Sequence, residues 1–552
     1  LGQALYLDEL DDALETIRGR TGIDQFALIG MDACLMGHVE VFAALAPHTQ
    51  YGVASQEVEP ALGWAYTSFL DALVRNPDMS PAQLAQGIVD TYIDEDQRIV
   101  DDQQRAEMLN RGSPMGGLFD LLLGGGGGGA TMSAAQLAAQ MGQNVTLTAV
   151  DLSQMPLLLD SLNSLALALQ NADQPGVARA RTYAQSFTSV FGSSVPPSYI
   201  DLGHFAQLLQ QQAGGGVAAA AGDVLAAIET AVVAEKHGPQ RPGATGISVY
   251  FPNSELYRNP ATGPQSYTVI ARRFAEASLW DDFLAFHYAG RGFEASARET
   301  AVPAAEAITR APGAEAISVT PLQLSAAEVG PGETILMSTD ITGQNIGYIY
   351  LFAGFVDQAA NAIFVADSDY LESADTRELN GIFYPVWPEG ETFTFEFAWE
   401  PVVFAISDGT TSEVALFSPE TYGESFEEAT YTVDGIYTYA DGGEQRYARL
   451  LFQNGLLRQV LGFNNGESET GAPREIIPQS GDQFTILERW MDLDSSGGVM
   501  QVATQEGGTL TFGDQPFVWE TLDAAAGTYV IGFIVSDLDG NRYPVYETVT
   551  VR

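Results

Sequence analysis

The sequence has 552 residues, with 24 Lys and Arg against 71 Asp and Glu, a net charge of −47 and a single cysteine. At about 100–200 residues per domain, this length predicts two to four domains, and a hydrophobic content of 46% gives each of them a core. The charge argues against nucleic acid as a partner, the lone cysteine excludes an internal disulfide, and no apolar run reaches the ~20 residues that span a bilayer.

Helical and strand patterns alternate over the first half of the chain. Helical spacing of apolar residues predicts helices over 4–17, 35–45 and 153–169, the last capped by Ser153, and short apolar runs predict strands over 26–30, 145–150 and 246–251. This alternation predicts an α/β domain whose sheet is mostly parallel and flanked by helices.

The composition changes twice further along the chain. Gly124 to Gly129 are six consecutive glycines, which favour a mobile surface loop over a phosphate cradle because no Lys-Ser or Lys-Thr pair follows them. An Ala, Glu, Arg and Pro-rich stretch at 293–316 is typical of a linker. Alternating and aromatic-rich segments after it predict an all-β sandwich-type region over 317–552, with one or two domains.

The only cysteine occupies a position where active sites often form. Cys34 follows the predicted strand at 26–30 and precedes the predicted helix at 35–45, so it is expected at the edge of the sheet where strands end. A helix N-terminus favours the thiolate form, which is the nucleophile. The alternative is an inert, buried cysteine.

A cysteine nucleophile usually needs a histidine as its general base. Of the five histidines, His38 and His48 follow Cys34 on or beyond the same helix, and His204 and His287 lie in apolar helical patterns. His237, in an expected loop before a strand, is the best base within this chain, although little supports it. No histidine precedes Cys34.

Several segments together resemble the clostripain-like cysteine peptidases, relatives of gingipains and caspases. The segments are Asp32 to Gly37 (DACLMG) with Glu40, Ala54 to Glu57, Gly63 to Tyr66, Leu147 to Leu152, Tyr199 to Leu202, Gly246 to Pro252, and Trp280 to Leu284. They run in order over the first ~290 residues, so the resemblance implies a caspase-like peptidase domain at 1–292.

The resemblance implies roles for individual residues. Cys34 matches the catalytic nucleophile, and its backbone N–H at the helix start is expected to help stabilise the oxyanion. Asp32 matches the acidic residue that pairs with an arginine or lysine at the P1 position of the substrate; a helix cap or a solvated turn residue is the alternative reading. Glu57 and Glu59, after the next predicted strand, are further substrate-binding candidates.

The resemblance also implies a missing partner. The family's catalytic histidine lies in a His-Gly motif upstream of the cysteine, and this sequence has only 33 residues before Cys34. We therefore expect Leu1 to be the new N-terminus of a large chain after internal processing, by the enzyme itself or by another protease, with the histidine on a separate small N-terminal chain. Calcium is left open as a cofactor: Asp492 and Asp537 begin calcium-loop-like runs that lack the downstream Glu, so tight turns are favoured.

These observations predict a secreted or cell-surface cysteine endopeptidase that cleaves proteins or peptides after basic residues. The alternative is a non-catalytic surface or structural protein, in which the peptidase-like domain is a scaffold and the β-sandwich region binds partners.

Overall fold

The computed structural model describes residues 5–108, 133–192, 195–296, 300–463, 470–493, 499–513 and 515–552. Its residues divide into two compact units: the first comprises Leu1–Arg105, Ser133–Gly313 and Leu379–Ile382, and the second comprises Ala106–Met132, Ala314–Glu378 and Phe383–Arg552. The main division, after Gly313, falls inside the stretch predicted to be a linker. The glycine run at 124–129 lies outside the described residues.

Helices make up most of the first unit. The described α-helices are α1 Leu7–Thr21, α2 Val39–Leu45, α3 Tyr66–Arg75, α4 Pro81–Thr91, α5 Gln97–Val100, α6 Asp102–Met108, α7 Ala134–Met141, α8 Met155–Leu169, α9 Gln174–Tyr183, α10 Leu202–Gln212, α11 Gly215–Ala231, α12 Ser254–Arg258, α13 Pro264–Ile270, α14 Arg272–Ala277 and α15 Trp280–Ala289. Short 3₁₀ turns lie at Leu152–Gln154 and Ala305–Ala307. In α8, helical spacing buries one leucine stripe, at Leu158, Leu162, Leu165 and Leu169.

Two sheets lie within the first unit. Their strands are β1 Phe26–Met31, β2 Thr49–Ala54, β3 Thr146–Asp151, β4 Tyr199–Asp201, β5 Val232–His237 and β6 Ser248–Tyr250. The larger sheet has the order β1-β2-β3-β5, and β4 pairs with β6. The pair β1/β2 is parallel, whereas β2/β3 and β3/β5 are antiparallel. The sheet is therefore mixed, and the prediction of a mostly parallel sheet is wrong for the described strands, although a mixed sheet flanked by helices fits a caspase-like domain.

Two predicted helix starts are also corrected. The helix expected from Leu35 begins at Val39, because Leu35 has a left-handed backbone (φ 59°) and the main chain from Leu35 to Gly37 bonds to the segment after β2. The helix expected at Ser153 begins as a 3₁₀ turn capped by Asp151, whose carboxylate accepts from Ser153 N at 3.0 Å. The first start is set by main-chain contacts with a loop about twenty residues away, and the second by the Asp151 side-chain cap.

The second unit is all-β over its described residues from 314 onward, as predicted. Its strands are β7 Ser318–Val319, β8 Gln323–Leu324, β9 Glu328–Val329, β10 Ile335–Thr342, β11 Ile346–Asp357, β12 Ala362–Asp367, β13 Tyr370–Leu371, β14 Asp375–Leu379, β15 Ile382–Val386, β16 Thr392–Trp399, β17 Val402–Ser407, β18 Ser412–Val414, β19 Ser418–Pro419, β20 Thr430–Thr438, β21 Gln445–Gln453, β22 Leu456–Phe463, β23 Pro473–Glu475, β24 Gln483–Leu493, β25 Val499–Thr511, β26 Val518–Asp523, β27 Gly527–Asp537 and β28 Arg542–Val551.

These strands form a large antiparallel-rich sheet, a smaller sheet built on β10, and the hairpin β14–β15. One hydrophobic core is shared by the two sheets: it contains Met337 and Ile341 of the smaller sheet together with Ile349, Ile531 and Phe533 of the larger one. Sheet faces packed over a common core are the arrangement expected of a sandwich.

Candidate active site

The parallel pair β1/β2 creates the site by bringing two loops to one edge of the sheet. Met31 at the end of β1 is opposite Ala54 at the end of β2, so the segments 32–38 and 55–65 leave the sheet side by side. The edge where parallel strands end is where open α/β sheets place their functional groups. Cys34 lies in the first of these segments and Glu57 and Glu59 lie in the second.

Main-chain hydrogen bonds hold the two loops together. Leu35 N donates to Glu57 O at 3.2 Å, and the N–H groups of Met36 and Gly37 both donate to Ser55 O, at 2.7 and 2.6 Å. A Cβ at Gly37 would lie 2.8 Å from Gln56 N, which is too close for any other residue without a shift of backbone. The backbone around Cys34 is therefore fixed by the loop after β2.

This geometry corrects one expectation about the oxyanion. The helix α2 begins five residues after Cys34, and its N-cap is His38, so its dipole does not start at the thiol. The three N–H groups that follow Cys34 are engaged with Glu57 O and Ser55 O. A helix start is thus not what would stabilise developing negative charge at Cys34.

The Cys34 thiol is partly buried, and no histidine hydrogen-bonds to it in the part of the chain that the structure describes. It packs against the cluster of Leu35, Phe187 and Ala244, and Glu59 N donates to Sγ at 3.3 Å. Its pKa rises to about 11, mainly through burial and in smaller part through the nearby carboxyl groups of Glu59 and Glu57. The thiol is therefore protonated at neutral pH in this chain alone.

Asp32 lies two residues before Cys34 and is exposed. Its Oδ2 accepts a hydrogen bond from the hydroxyl of Tyr66 at 2.9 Å. Gly63, with a φ of 65°, lies against the same carboxylate: a Cβ there would be 3.1 Å from Oδ2. The loop after β2 therefore holds the Asp32 carboxylate in place while leaving it accessible to a cationic group.

Glu59 is buried beside Asp32, with 6% of its surface exposed. Its Oε1 accepts from the Trp64 indole Nε1 at 3.1 Å. Burial is the main cause that raises its pKa to about 9, and the neighbouring Asp32 carboxyl adds to the rise. At neutral pH the Glu59 carboxyl is protonated.

Glu57 has a different environment from Glu59. It is fully buried, and its carboxylate oxygens accept from Val58 N at 2.7 Å, from Thr188 N at 3.2 Å and from Arg241 Nε at 2.8 Å. A buried carboxylate with three donors, one of them a guanidinium, is already satisfied. The geometry favours a bracing role for Glu57 over contact with substrate.

All five histidines lie in the described residues, and each interacts away from Cys34. His48 bonds to Asp11 at 2.7 Å, His204 accepts from Gln185 N at 2.9 Å, His287 bonds to Gln174 at 2.7 Å, His38 stacks on Tyr199 with ring centroids 4.0 Å apart, and His237 pairs with Glu235 at 3.0 Å. Burial lowers the pKa of His38 and of His287 to about 3. Within the described chain, no histidine hydrogen-bonds to Cys34 Sγ, and this includes His237, the best base by sequence.

Gln56 is a positioning residue that the sequence did not single out. Its Nε2 donates to Asp201 Oδ2 at 3.0 Å and to Ser248 Oγ at 2.8 Å, and its Oε1 accepts from Gly246 N at 3.1 Å. It thereby ties the loop after β2 to the strands β4 and β6. One feature of the sequence could have pointed to Gln56: three of the segments that carry the family resemblance, at 54–57, 199–202 and 246–252, meet at its side chain.

No metal site is evident in the parts of the chain that the structure covers. No group of three or more His, Cys, Asp or Glu side chains there is arranged to hold an ion. Asp537 closes a turn, accepting from Asp539 N at 3.0 Å and Asn541 N at 2.9 Å. The run after Asp492 enters residues outside the described set, and calcium remains an untested expectation. No described helix combines the length and apolarity needed to cross a membrane.

Several solved structures are similar to part of the chain. A cysteine protease from B. fragilis is 19% identical, covering 49% of this chain and 97% of its own, with a TM-score of 0.28. A clostripain from Bacteroides thetaiotaomicron, in complex with a peptide inhibitor, is 13% identical, covering 44% and 84%, with a TM-score of 0.26. An inactive zymogen from Parabacteroides distasonis is 12% identical, covering 46% and 62%, with a TM-score of 0.28.

At these identities and TM-scores the three structures add no argument of their own, and no curated protein matched the chain. The informative match is to a family model. Residues 2–106, which contain β1, Cys34, β2, Glu59 and Tyr66, match the model of the clostripain family. The match covers about a fifth of the chain; it supports a cysteine peptidase and confirms the clostripain-like resemblance read from the sequence over those residues.

Proposed function

We propose that this protein is a cysteine endopeptidase that cleaves peptides and proteins after basic residues, with Cys34 as the nucleophile. One observation carries the proposal: an exposed carboxylate, Asp32, and a partly exposed thiol, Cys34, lie two residues apart on one loop that Tyr66 and Gly37 hold in place. A substrate whose basic P1 side chain pairs with Asp32 would have its scissile carbonyl close to the thiol.

The preference for a basic P1 residue follows from charge. A guanidinium binds a carboxylate through two parallel hydrogen bonds, and an ammonium binds it as a point charge. Glu57, in the loop after β2, is already paired with Arg241. Asp32 is therefore the carboxylate available to substrate, and Glu59 is a second candidate beside it.

The proposed chemistry is acyl transfer through the thiol. The Cys34 thiolate attacks the scissile carbonyl carbon, the C–N bond breaks, and a histidine gives the proton that it took from the thiol to the leaving amine. Water then attacks the resulting thioester, which releases the acid and restores the thiol. A histidine is needed because burial raises the pKa of Cys34 to about 11.

The base is proposed to come from a separate N-terminal chain, since each of the five histidines here is engaged elsewhere. The strand β1 supports this. Phe26, Leu28 and Ile29 give it the apolar composition of an interior strand, yet none of its residues is fully buried. In the described part of the chain β1 pairs with β2 alone. Its open edge suits a further strand, which would carry the histidine to the side of Cys34.

The proposal also includes processing and location. Internal processing, by this enzyme or by another protease, would produce the two chains, and secretion or attachment to the cell surface suits a strongly acidic chain with one lysine. The β-sandwich region is proposed to position substrate, to attach the enzyme to a surface, or to brace the peptidase domain.

The second candidate function is a non-catalytic surface or structural protein with a peptidase-like scaffold. The raised pKa of Cys34 and the absence of a histidine partner among the described residues favour it.

The two candidates separate in one assay. The protein, together with its proposed N-terminal chain, is incubated with short peptide amides ending in arginine or lysine, alongside a Cys34→Ala variant. The proposed function predicts cleavage by the parent and none by the variant. Equal rates for the two proteins would leave only the non-catalytic reading.

A further inference from the structure

Two carboxyl groups with contrasting environments lie side by side next to Cys34. Asp32 is exposed, whereas Glu59 is 6% exposed. One oxygen of Glu59 accepts from Trp64 Nε1; the other, Oε2, is buried and has no donor among the described residues, and the Asp32 carboxyl lies within hydrogen-bonding reach of Glu59. Two carboxyl groups can hydrogen-bond to each other only when one of them carries a proton, so this pair holds a proton that an entering cation could displace.

We propose that Glu59 is a second, proton-gated carboxyl of the P1 pocket: it releases its proton to solvent when a basic P1 side chain enters, so that arginine or lysine meets two carboxylates. This inference rests on the proposed function, since it assumes that the P1 side chain binds at Asp32. It goes further by giving Glu59 a regulated role. A neutral side chain would not displace the proton and would meet one carboxylate and one neutral carboxyl.

The charges around Glu59 are consistent with such a gate. Burial is the largest cause that raises the pKa of Glu59 to about 9, and the Asp32 carboxyl, which faces Glu59 and disfavours a second negative charge, is the next. Tyr66 stays neutral, because burial and then the carboxyl groups of Asp32 and Glu59 raise its pKa to about 12. Behind Glu59, the protonated Cys34 thiol carries no charge and Glu57 is neutralised by Arg241 at 2.8 Å.

Arg98 reaches the loop after β2 at Leu62 but is already paired with a carboxylate. Arg98 donates to Leu62 O at 2.8 Å, but its Nε is bound to Asp96 Oδ1 at 2.8 Å. No cation is therefore paired with Asp32 or Glu59 in the described part of the chain. A guanidinium that enters between the two carboxyl groups would be the first cation paired with them, and it would lower the pKa of Glu59.

The test is a calorimetric titration of the full chain carrying Cys34→Ala, which binds without cleaving. The probes are a blocked peptide with arginine at P1 and the same peptide with citrulline, the neutral isostere. The titration is run at pH 7 in phosphate and in Tris, which differ in their enthalpy of ionisation. The difference between the two binding enthalpies gives the number of protons released on binding. We expect about one proton released per arginine peptide and about none per citrulline peptide.

Two variants locate the proton. Glu59→Gln keeps an acceptor for Trp64 and is expected to abolish the release, whereas Glu276→Gln, an exposed residue of α14, is expected to leave it unchanged. As a second readout, the affinity for the arginine peptide should rise up to tenfold per pH unit below about pH 9 and level off above it, because a proton must leave.

The outcomes distinguish this inference from the proposed function. Two outcomes would overturn the proton gate alone, provided that the arginine peptide still binds more tightly than the citrulline peptide. One is binding without proton release, and the other is proton release that persists in Glu59→Gln. Equal affinities for the two peptides, or no binding of either, would overturn the proposed P1 specificity together with the gate.

Discussion

At the scale of single residues, the site separates three carboxyl groups that the sequence presents as equivalent. Asp32 is exposed and held by Tyr66, Glu59 is buried and protonated, and Glu57 is buried and paired with Arg241. Their differences arise from their partners, two of which, Tyr66 and Arg241, are distant in sequence. The Cys34 thiol between them is buried enough to be protonated.

The titration of Cys34 gives the first prediction. Because burial raises its pKa to about 11, the rate of alkylation by iodoacetamide in this chain alone should rise tenfold per pH unit from pH 7 to about pH 10 and level off near pH 11. Adding the N-terminal chain should bring the plateau to lower pH. As this is the only cysteine, Cys34→Ala gives the blank. A plateau below pH 8 without a second chain would show that these 552 residues already contain the activating group.

At the scale of elements, the loops after β1 and β2 depend on one another. Main-chain bonds from Leu35, Met36 and Gly37 reach Ser55 and Glu57, and the Glu57 carboxylate is in turn anchored by Arg241. The ion pair is therefore a support for the backbone that carries Cys34.

The second prediction tests this support. Arg241→Met leaves the Glu57 carboxylate buried without a cation, which should lower the free energy of unfolding of the first unit by about 3–5 kcal/mol. Urea denaturation measures the loss, and Arg75→Met, at an exposed position of α3, should change the free energy by less than about 0.5 kcal/mol. The double variant Glu57→Gln with Arg241→Met should recover part of the loss. An unchanged stability in Arg241→Met would return Glu57 to the list of substrate-binding candidates.

The elements also show how far sequence reasoning reaches. The strand at 26–30 and the position of Cys34 after it were predictable, because a short apolar run between polar segments is typical of a buried strand. The start of α2 was not, since the left-handed backbone of Leu35 and the contact of Gly37 with Gln56 depend on a loop twenty residues away. The antiparallel pairing of β2 with β3 was missed because the apolar pattern of a buried strand carries no sign of its direction.

The candidate site shows the same limit. Cys34 and Asp32 were identifiable as residues, from the chemistry of a thiol after a strand and from the family resemblance. The pairing of Glu57 with Arg241, 184 residues away, was not, because contacts of such separation are set by the fold as a whole. The same is true of the Gln56 network.

At the scale of the whole molecule, charge is the dominant feature. A net charge of −47 attracts basic peptides. Salt screens this attraction, since the Debye length is about 10 Å at 0.1 M ionic strength. Two compact units carry this charge, and the first contains every residue of the candidate site.

The third prediction follows from this charge. The kcat/KM for a peptide with net positive charge should fall by about tenfold between 0.05 and 0.5 M salt, because attraction to the enzyme is screened. The same arginine peptide extended with glutamates to a net negative charge should show the opposite slope. Identical slopes for both peptides would mean that the overall charge has no part in substrate capture.

The central claim is that Asp32 selects a basic P1 residue for attack by Cys34. Its most direct test is the ratio of kcat/KM for a peptide amide with arginine at P1 to that for the same peptide with citrulline, in the parent and in Asp32→Asn, with the alkylation rate of Cys34 as a control for an intact thiol. We predict a ratio of about 100 in the parent and a ratio at least tenfold lower in the variant, where Glu59 is the only carboxyl of the pair left to meet the basic side chain, with alkylation unchanged. A ratio that stays high in Asp32→Asn would contradict the claim.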